Sequence, residues 1–272
     1  MTRILGVDFS GASDAGRKIW IAEGRPDNKG ALELLSCIAA IDLPGGGKSP
    51  AEAVAALVRH IGGLSGSGGG EARIGCDFPF SLPRDLMDAS SWRSFALRYV
   101  ADFADADTFR SLMRARPNIA GLKRITDRIA KTPFDAHNLR LYRQTWWGIA
   151  GVLRPLVAAR KAVVRPQQKH VPGKPALIEI CPACTLKSIG LYPSYKGRGT
   201  GPRKARQKIL DGLVDRDALA APARRMRALL LDNEGGDALD AVIGAIATSR
   251  ADLDAKPDAF QRLEGRVYYE IG

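Results

Sequence analysis

Ile4-Leu5-Gly6-Val7-Asp8-Phe9-Ser10-Gly11 is an apolar run that ends in one acid and then in turn-forming residues. It reads as a buried strand carrying a carboxylate at its end. An ionised carboxylate in such a place is costly unless it is paired or bound to a cation. The pattern recurs in Ile74-Gly75-Cys76-Asp77-Phe78-Pro79 and in Leu177-Ile178-Glu179-Ile180-Cys181-Pro182. A fourth segment, Gly236-Asp237-Ala238-Leu239-Asp240-Ala241, places two acids three residues apart, on one face of a helix. Each acid alone has an ordinary reading as a turn starter or as a favourable charge at a helix start. Together they point to one shared partner, most simply a divalent metal.

Outward from these segments, residues 3–9, Lys18–Glu23 and Ala31–Ile41 read as three strands, with a turn at Asp14-Ala15-Gly16. Ser49 and Pro50 supply the cap and first position of an amphipathic helix over 50–62. Arg73–Phe80 reads as a fourth strand and Ala176–Ile180 as a fifth. Residues 203–213 and 222–232 read as basic helices, Asp237–Ser249 as an Ala-rich helix, and Val267–Ile271 as a short edge strand. Between the fourth and fifth strands, from about 84 to 165, the pattern is helical and broken at Pro117 and Pro133. The expected fold is α/β, a mixed five-stranded sheet flanked by helices, in one domain over 1–272. If the first, fourth and fifth strands are adjacent and parallel, Asp8, Asp77 and Glu179 converge at one side of the sheet. The glycines Gly235 and Gly236 are expected to let the Asp237/Asp240 helix approach it.

Composition narrows the function. With 272 residues and 45% apolar content the chain can bury a sizeable core. No apolar run reaches the roughly 18–20 residues of a membrane span, and Met1-Thr2-Arg3-Ile4 leads into a strand without a signal-peptide pattern. A soluble cytoplasmic protein with no membrane partner is expected. The four cysteines do not form a disulfide framework. Cys181-Pro182-Ala183-Cys184 lacks the second Cys or His pair of a zinc site and reads as a strand-to-loop turn. Neither the Gly/Ser-rich stretch 63–70 nor Gly45-Gly46-Gly47-Lys48 has the spacing of a phosphate loop.

The net charge of +12 is uneven. Residues 84–170 carry 17 Lys/Arg against 7 Asp/Glu, and 195–230 carry 10 against 3, so the remainder, which holds the acids, is net negative. A negative centre flanked by basic segments suits a polyanion held by its phosphates and cut at metals. Arg140, Arg143, Lys196, Arg203 and Lys204 are the candidate nucleic-acid-binding residues. Arg140 and Arg143 lie among Tyr142, Trp146 and Trp147, a pattern that can stack bases; for the two tryptophans a core role is the commoner outcome. Basic helices can equally be plain solvated faces.

Asp8 in GVDFSGA, Asp77 in GCDFPFSLP, Glu179 in IEICPACTLK and Asp237/Asp240 in GGDALDAVIGAIAT resemble the DUF429 family of predicted nucleases, of the RNase H-like superfamily. The closing EGRVYYEIG resembles the family's last segment. The GGDALDAVIGAIAT block is also similar to the last catalytic helix of RuvC-type Holliday-junction resolvases, whose paired aspartates bind metal. By that resemblance Asp8 matches the first-strand aspartate and Asp77 the fourth-strand acid, a glutamate in the resolvases. Glu179 has no clear resolvase counterpart, and the basic stretch 84–170 looks like an insertion particular to this branch.

The resemblance implies an RNase H-like, Mg²⁺- or Mn²⁺-dependent nuclease using two ions. Asp8, Asp77, Glu179, Asp237 and Asp240 are the expected catalytic residues. Asp8, Asp77, Asp237 and Asp240 are the metal ligands, with Glu179 a further ligand or an orienter of water. Resolvases of this fold act as dimers, so a homodimer is compatible, although no dimer surface is legible. Two rivals stand beside this reading. Asp8–Gly11 is similar to the first phosphate loop of actin-like kinases, which need a second fold copy that this chain lacks. The other is a nucleic-acid-binding module that has lost catalysis.

Overall fold

The computed structural model describes residues 2–65, 71–119 and 121–271. The expected loop over 63–70 therefore lies partly outside the described residues. The chain begins with β1 (Arg3–Asp8), a short α1 (Ala15–Lys18), β2 (Trp20–Pro26) and β3 (Leu32–Ala39). Then come α2 (Pro50–Gly63) and β4 (Ala72–Asp77). The basic stretch holds α3 (Trp92–Asp102), α4 (Ala106–Ala115), α5 (Ile125–Ala130) and α6 (Tyr142–Trp146), which runs through a π-helical segment (Trp147–Leu153) into α7 (Arg154–Ala158). After β5 (Val163–Val164) and β6 (Ala176–Ile180) follow α8 (Pro182–Ser188), α9 (Thr200–Val214) and α10 (Arg224–Asp232). The buried α11 (Asp237–Arg250), α12 (Gln261–Glu264) and β7 (Val267–Tyr268) end the chain.

The strands form one mixed sheet in the order β3-β2-β1-β4-β6-β5, with β7 also pairing to β6. β3, β2 and β1 are antiparallel, whereas β1, β4, β6, β5 and β7 are parallel. The sheet has seven strands, not the expected five. The members beyond five are β5 and β7, two residues each: β7 lies within the short edge strand expected over Val267–Ile271, whereas β5 is too short to show the alternation by which a strand is recognised. As expected, the first, fourth and fifth of the predicted strands (β1, β4 and β6) are adjacent and parallel.

Both faces of the sheet are covered. On one, Leu5, Val7, Ile74, Cys76 and Leu177 pack with α2 and with Trp92, Phe95, Phe109, Ile149 and Leu153 of the basic stretch. The stretch 84–170 is thus a packed helical layer of the domain, and it also contributes β5. Trp146 and Trp147 pack against this core, and Trp146 Nε1 donates to the Phe103 carbonyl at 2.9 Å. They serve packing, as the commoner reading expected. α2 starts as its sequence dictates: Ser49 Oγ accepts from the Glu52 amide, and the Glu52 carboxylate accepts from the Ser49 amide.

The other face is covered by α11, whose residues Ala238–Thr248 are all buried. A helix apolar on every side belongs inside a protein. The expected aid from Gly235 and Gly236 is only part of the reason it fits. Gly236 sits at φ 78° as the residue that starts the helix, but the close approach is made at Gly6 of β1. A Cβ there would stand 2.1 Å from the Ala241 carbonyl oxygen and the Ala245 nitrogen. No helix among the described residues is long and apolar enough to cross a membrane.

Candidate metal-binding acid cluster

Asp8 and Asp77 are the last residues of β1 and β4 and stand opposite each other in register. They lie at the carboxyl ends of parallel strands, where open α/β sheets bind their ligands. Side chains alternate along a strand, so Gly6, Asp8, Gly75 and Asp77 share the face covered by α11. Asp237 and Asp240 lie in the first turn of α11, near the positive end of its dipole. The sheet and the helix thus bring the four aspartates together.

Their electrostatics follow from this proximity. Burial raises the Asp8 carboxyl well above the usual range; Asp240, Asp77 and Asp237 raise it further, and Lys196 opposes. Asp77 is pushed up to about 7, first by burial and then by Asp240. Burial also raises Asp237, with Asp240 adding to it. The cation facing Asp8 and Asp77 is Lys196, whose Nζ lies 2.6 Å from Asp240 Oδ2. Tyr195 donates its hydroxyl to Asp240 Oδ1 at 2.6 Å. Lys18, itself paired with Asp14, adds to the field at Asp237. Four carboxylates thus share chiefly one ammonium.

Sequence reasoning placed Lys196 among the phosphate-binding residues; the structure places it in the acid cluster. Burial alone would lower its ammonium, but Asp240 and Asp8 hold it above its ordinary value. The loop that carries it is fixed by the buried Arg206 of α9, which donates from Nε to the Leu231 carbonyl and from Nη1 to the Tyr195 and Gly197 carbonyls. Tyr195 and Arg206 were missed, and no local pattern marks either one.

Glu179 lines the same cleft as Asp77 and Asp240 but reaches it from the other face of the sheet. It pairs in register with Cys76, one residue before Asp77, so its side chain faces the opposite side of the sheet. There Arg124 of the basic stretch holds it with two donors: Nη2 lies 2.5 Å from Oε1 and Nη1 lies 2.8 Å from Oε2. Arg124 also forks onto Asp127, at 2.7 and 2.8 Å. The Phe80 amide donates to Glu179 Oε2 at 3.0 Å. All three ionic groups of this triad are buried. Burial raises the Glu179 carboxyl, and Arg124 counters it. Glu179 is near enough to Asp77 to raise it, yet both of its oxygens are committed to Arg124. Arg124-x-x-Asp127, an i,i+3 pair, was the available sequence signal for this anchor.

A cleft of about 330 Å³ opens beside the cluster, walled in part by Asp77, Asp240, Lys196, Tyr195, Gln144 and Cys181. Cys181 Sγ accepts from the Cys184 amide at the start of α8 and lies 2.7 Å from Cys184 Sγ. The Cys184 contact and burial raise the Cys181 thiol well above its usual range. The pair is thus a strand-to-helix turn, close to the expected reading.

The remaining candidates lie elsewhere. Arg140 and Arg143 flank a separate pocket beyond Gln144. Arg203 is paired with Asp232 at 2.9 Å, and Lys204 lines a shallow depression on α9. None of these four side chains is among the residues that wall the acid cleft.

The donor set bears on whether an ion fits. Among the described residues no three His, Cys, Asp or Glu side chains stand as a formed metal cage. Asp240 has its oxygens turned to Tyr195 and Lys196 instead. The chemistry of the set nevertheless fits a hard divalent cation: four carboxylates, partly or fully buried and under-compensated, with no sulfur or imidazole among them.

The sequence model of the family described as "Protein of unknown function (DUF429)" matches residues 6–261, and the chain belongs to that family. No curated protein and no solved structure matches it.

Proposed function

We propose that the protein is an RNase H-like, divalent-metal-dependent nuclease that hydrolyses phosphodiester bonds of nucleic acid. The observation that carries this reading is the meeting of Asp8, Asp77, Asp237 and Asp240 around one lysine at the ends of β1 and β4. Buried carboxylates with so little counter-charge are stabilised by a cation. Asp8, Asp77, Asp237 and Asp240 would be the residues that hold the ions. Bound there, Mg²⁺ or Mn²⁺ supplies an activated water and charge stabilisation at the leaving oxygen.

The chain's own groups do the rest. Lys196, half-exposed at the cleft, would meet a substrate phosphate. Tyr195 holds Asp240 in orientation from the side. Glu179 secures the basic helical layer through Arg124, which keeps the cleft wall at Phe78–Phe80 in place. In this reading Glu179 acts on the site through position, in place of the ligand or water-orienting role expected from sequence.

The test compares Mg²⁺-dependent cleavage of duplex, hybrid, branched and single-stranded substrates by the parent and by Asp8→Asn. Cleavage by the parent that the variant loses supports the proposal. Equal cleavage by both, or none on any substrate, contradicts it.

A further inference from the structure

Next to the acid cleft lies a second pocket, of about 540 Å³, that the reaction chemistry does not use. Its floor is the Ser10-Gly11-Ala12 loop, which begins two residues after Asp8. Its walls carry three guanidinium groups, Arg110, Arg140 and Arg143. Gln144 lines both this pocket and the acid cleft, and its side-chain amide donates to the Asp77 carbonyl. The two spaces are therefore neighbours across one side chain.

The three arginines are held by aromatic rings. Arg110 and Arg143 lie 5.5 and 5.4 Å from the centre of the Tyr142 ring, and Arg140 lies 5.3 Å from that of Phe134. Ring faces fix a guanidinium without neutralising it. Among the described residues the only carboxylate within 4.0 Å of any of the three is the exposed Asp107, 3.9 Å from Arg143. The loop is pressed onto this wall, since a Cβ at Gly11 would stand 2.5 Å from the Arg143 carbonyl carbon. A preformed space lined by forked donors, of which only Arg143 has a nearby carboxylate among the described residues, suits phosphate groups.

We propose that this pocket binds a non-scissile phosphodiester of the strand whose neighbouring linkage reaches the acid cluster. The identity of the strand rests on the nuclease reading; the anion site itself does not.

The experiment measures binding of a fluorescent single-stranded oligonucleotide to the full chain without divalent cations, across a salt series. The proteins are the parent, Arg110→Ala/Arg140→Ala, Arg140→Glu and the control Arg25→Ala, whose arginine pairs with Glu33 far along the sheet. Arg140→Glu alters an exposed side chain, so it reports even if the double variant folds poorly. Each pocket variant is expected to bind about tenfold more weakly, and its salt slope to fall by about one unit for each phosphate that is no longer held. Arg25→Ala should match the parent. Unchanged binding in the pocket variants, or an equal loss in Arg25→Ala, overturns the proposal. So does inorganic phosphate that binds as tightly as the oligonucleotide, which would mark a small-anion site. Because no cleavage is read, failure here is separable from failure of the nuclease reading, which Asp8→Asn tests.

Discussion

Lys196 Nζ lies 2.6 Å from Asp240 Oδ2, so an ammonium faces a group of carboxylates that has little other positive charge. On the proposed reading the lysine stabilises the metal-free protein and would compete with an ion for Asp240. Lys196→Met should therefore lower metal-free stability at neutral pH by about 1 kcal/mol, a modest figure because the side chain is half-exposed. Added Mg²⁺ should raise the melting temperature of this variant more than that of the parent. An equal Mg²⁺ effect in the two proteins would mean that lysine and ion do not share a site.

The carboxyl of Asp77, pushed up to about 7 from an ordinary 3.8, gives a pH dependence of known sign. A carboxyl whose folded value is raised favours the folded state below its ordinary 3.8, and that contribution is lost progressively as pH rises to about 7. Metal-free protein should thus lose stability from about pH 4 to about pH 7, and Asp77→Asn should flatten the fall. On the proposed reading protons and metal would compete for the same carboxylates, so Mn²⁺ affinity should rise over the same window. Denaturant titrations at several pH values, with chelator, read the first effect. A parent curve that rises with pH would contradict it.

Glu179 and Arg124 allow a test of anchor against ligand. Arg124→Met leaves two buried carboxylates unpaired and should cost about 3–5 kcal/mol. Glu179→Gln leaves Arg124 balanced by Asp127 and should cost less. It should also keep Mn²⁺ affinity within about twofold of the parent, a change of under 1 kcal/mol. A large loss of Mn²⁺ binding in Glu179→Gln, with stability intact, would return Glu179 to the ligand set.

Gly6→Ala tests the seating of α11. The new methyl would meet helix backbone, which cannot swing aside as a side chain can. A loss of about 3 kcal/mol or more is expected, at or above the usual cost of overpacking. Thermal or denaturant unfolding that matches the parent would show that the helix is not pressed onto β1 at this point.

Much of this arrangement was legible in the sequence. β1, β4 and β6 announce themselves as apolar runs, α2 by its capping box, and α11 by small residues on every side. The convergence of Asp8, Asp77, Asp237 and Asp240 follows from strand ends and helix spacing, and the structure brings them together. What the sequence left illegible was long-range. Register between β4 and β6 depends on packing of whole layers, and a shift of one residue sends Glu179 to the other face. Its partner Arg124 lies 55 residues away. Lys196 looks like any surface lysine until the loop fixed by Arg206 folds it toward Asp240.

The central claim is that the four aspartates form a divalent-cation site, and Mn²⁺ titration followed by electron paramagnetic resonance tests it most directly. The account predicts saturable binding of up to two ions by the parent, and loss of that binding in Asp8→Asn under the same conditions. No saturable Mn²⁺ binding by the parent, or binding that Asp8→Asn leaves unchanged, would contradict it.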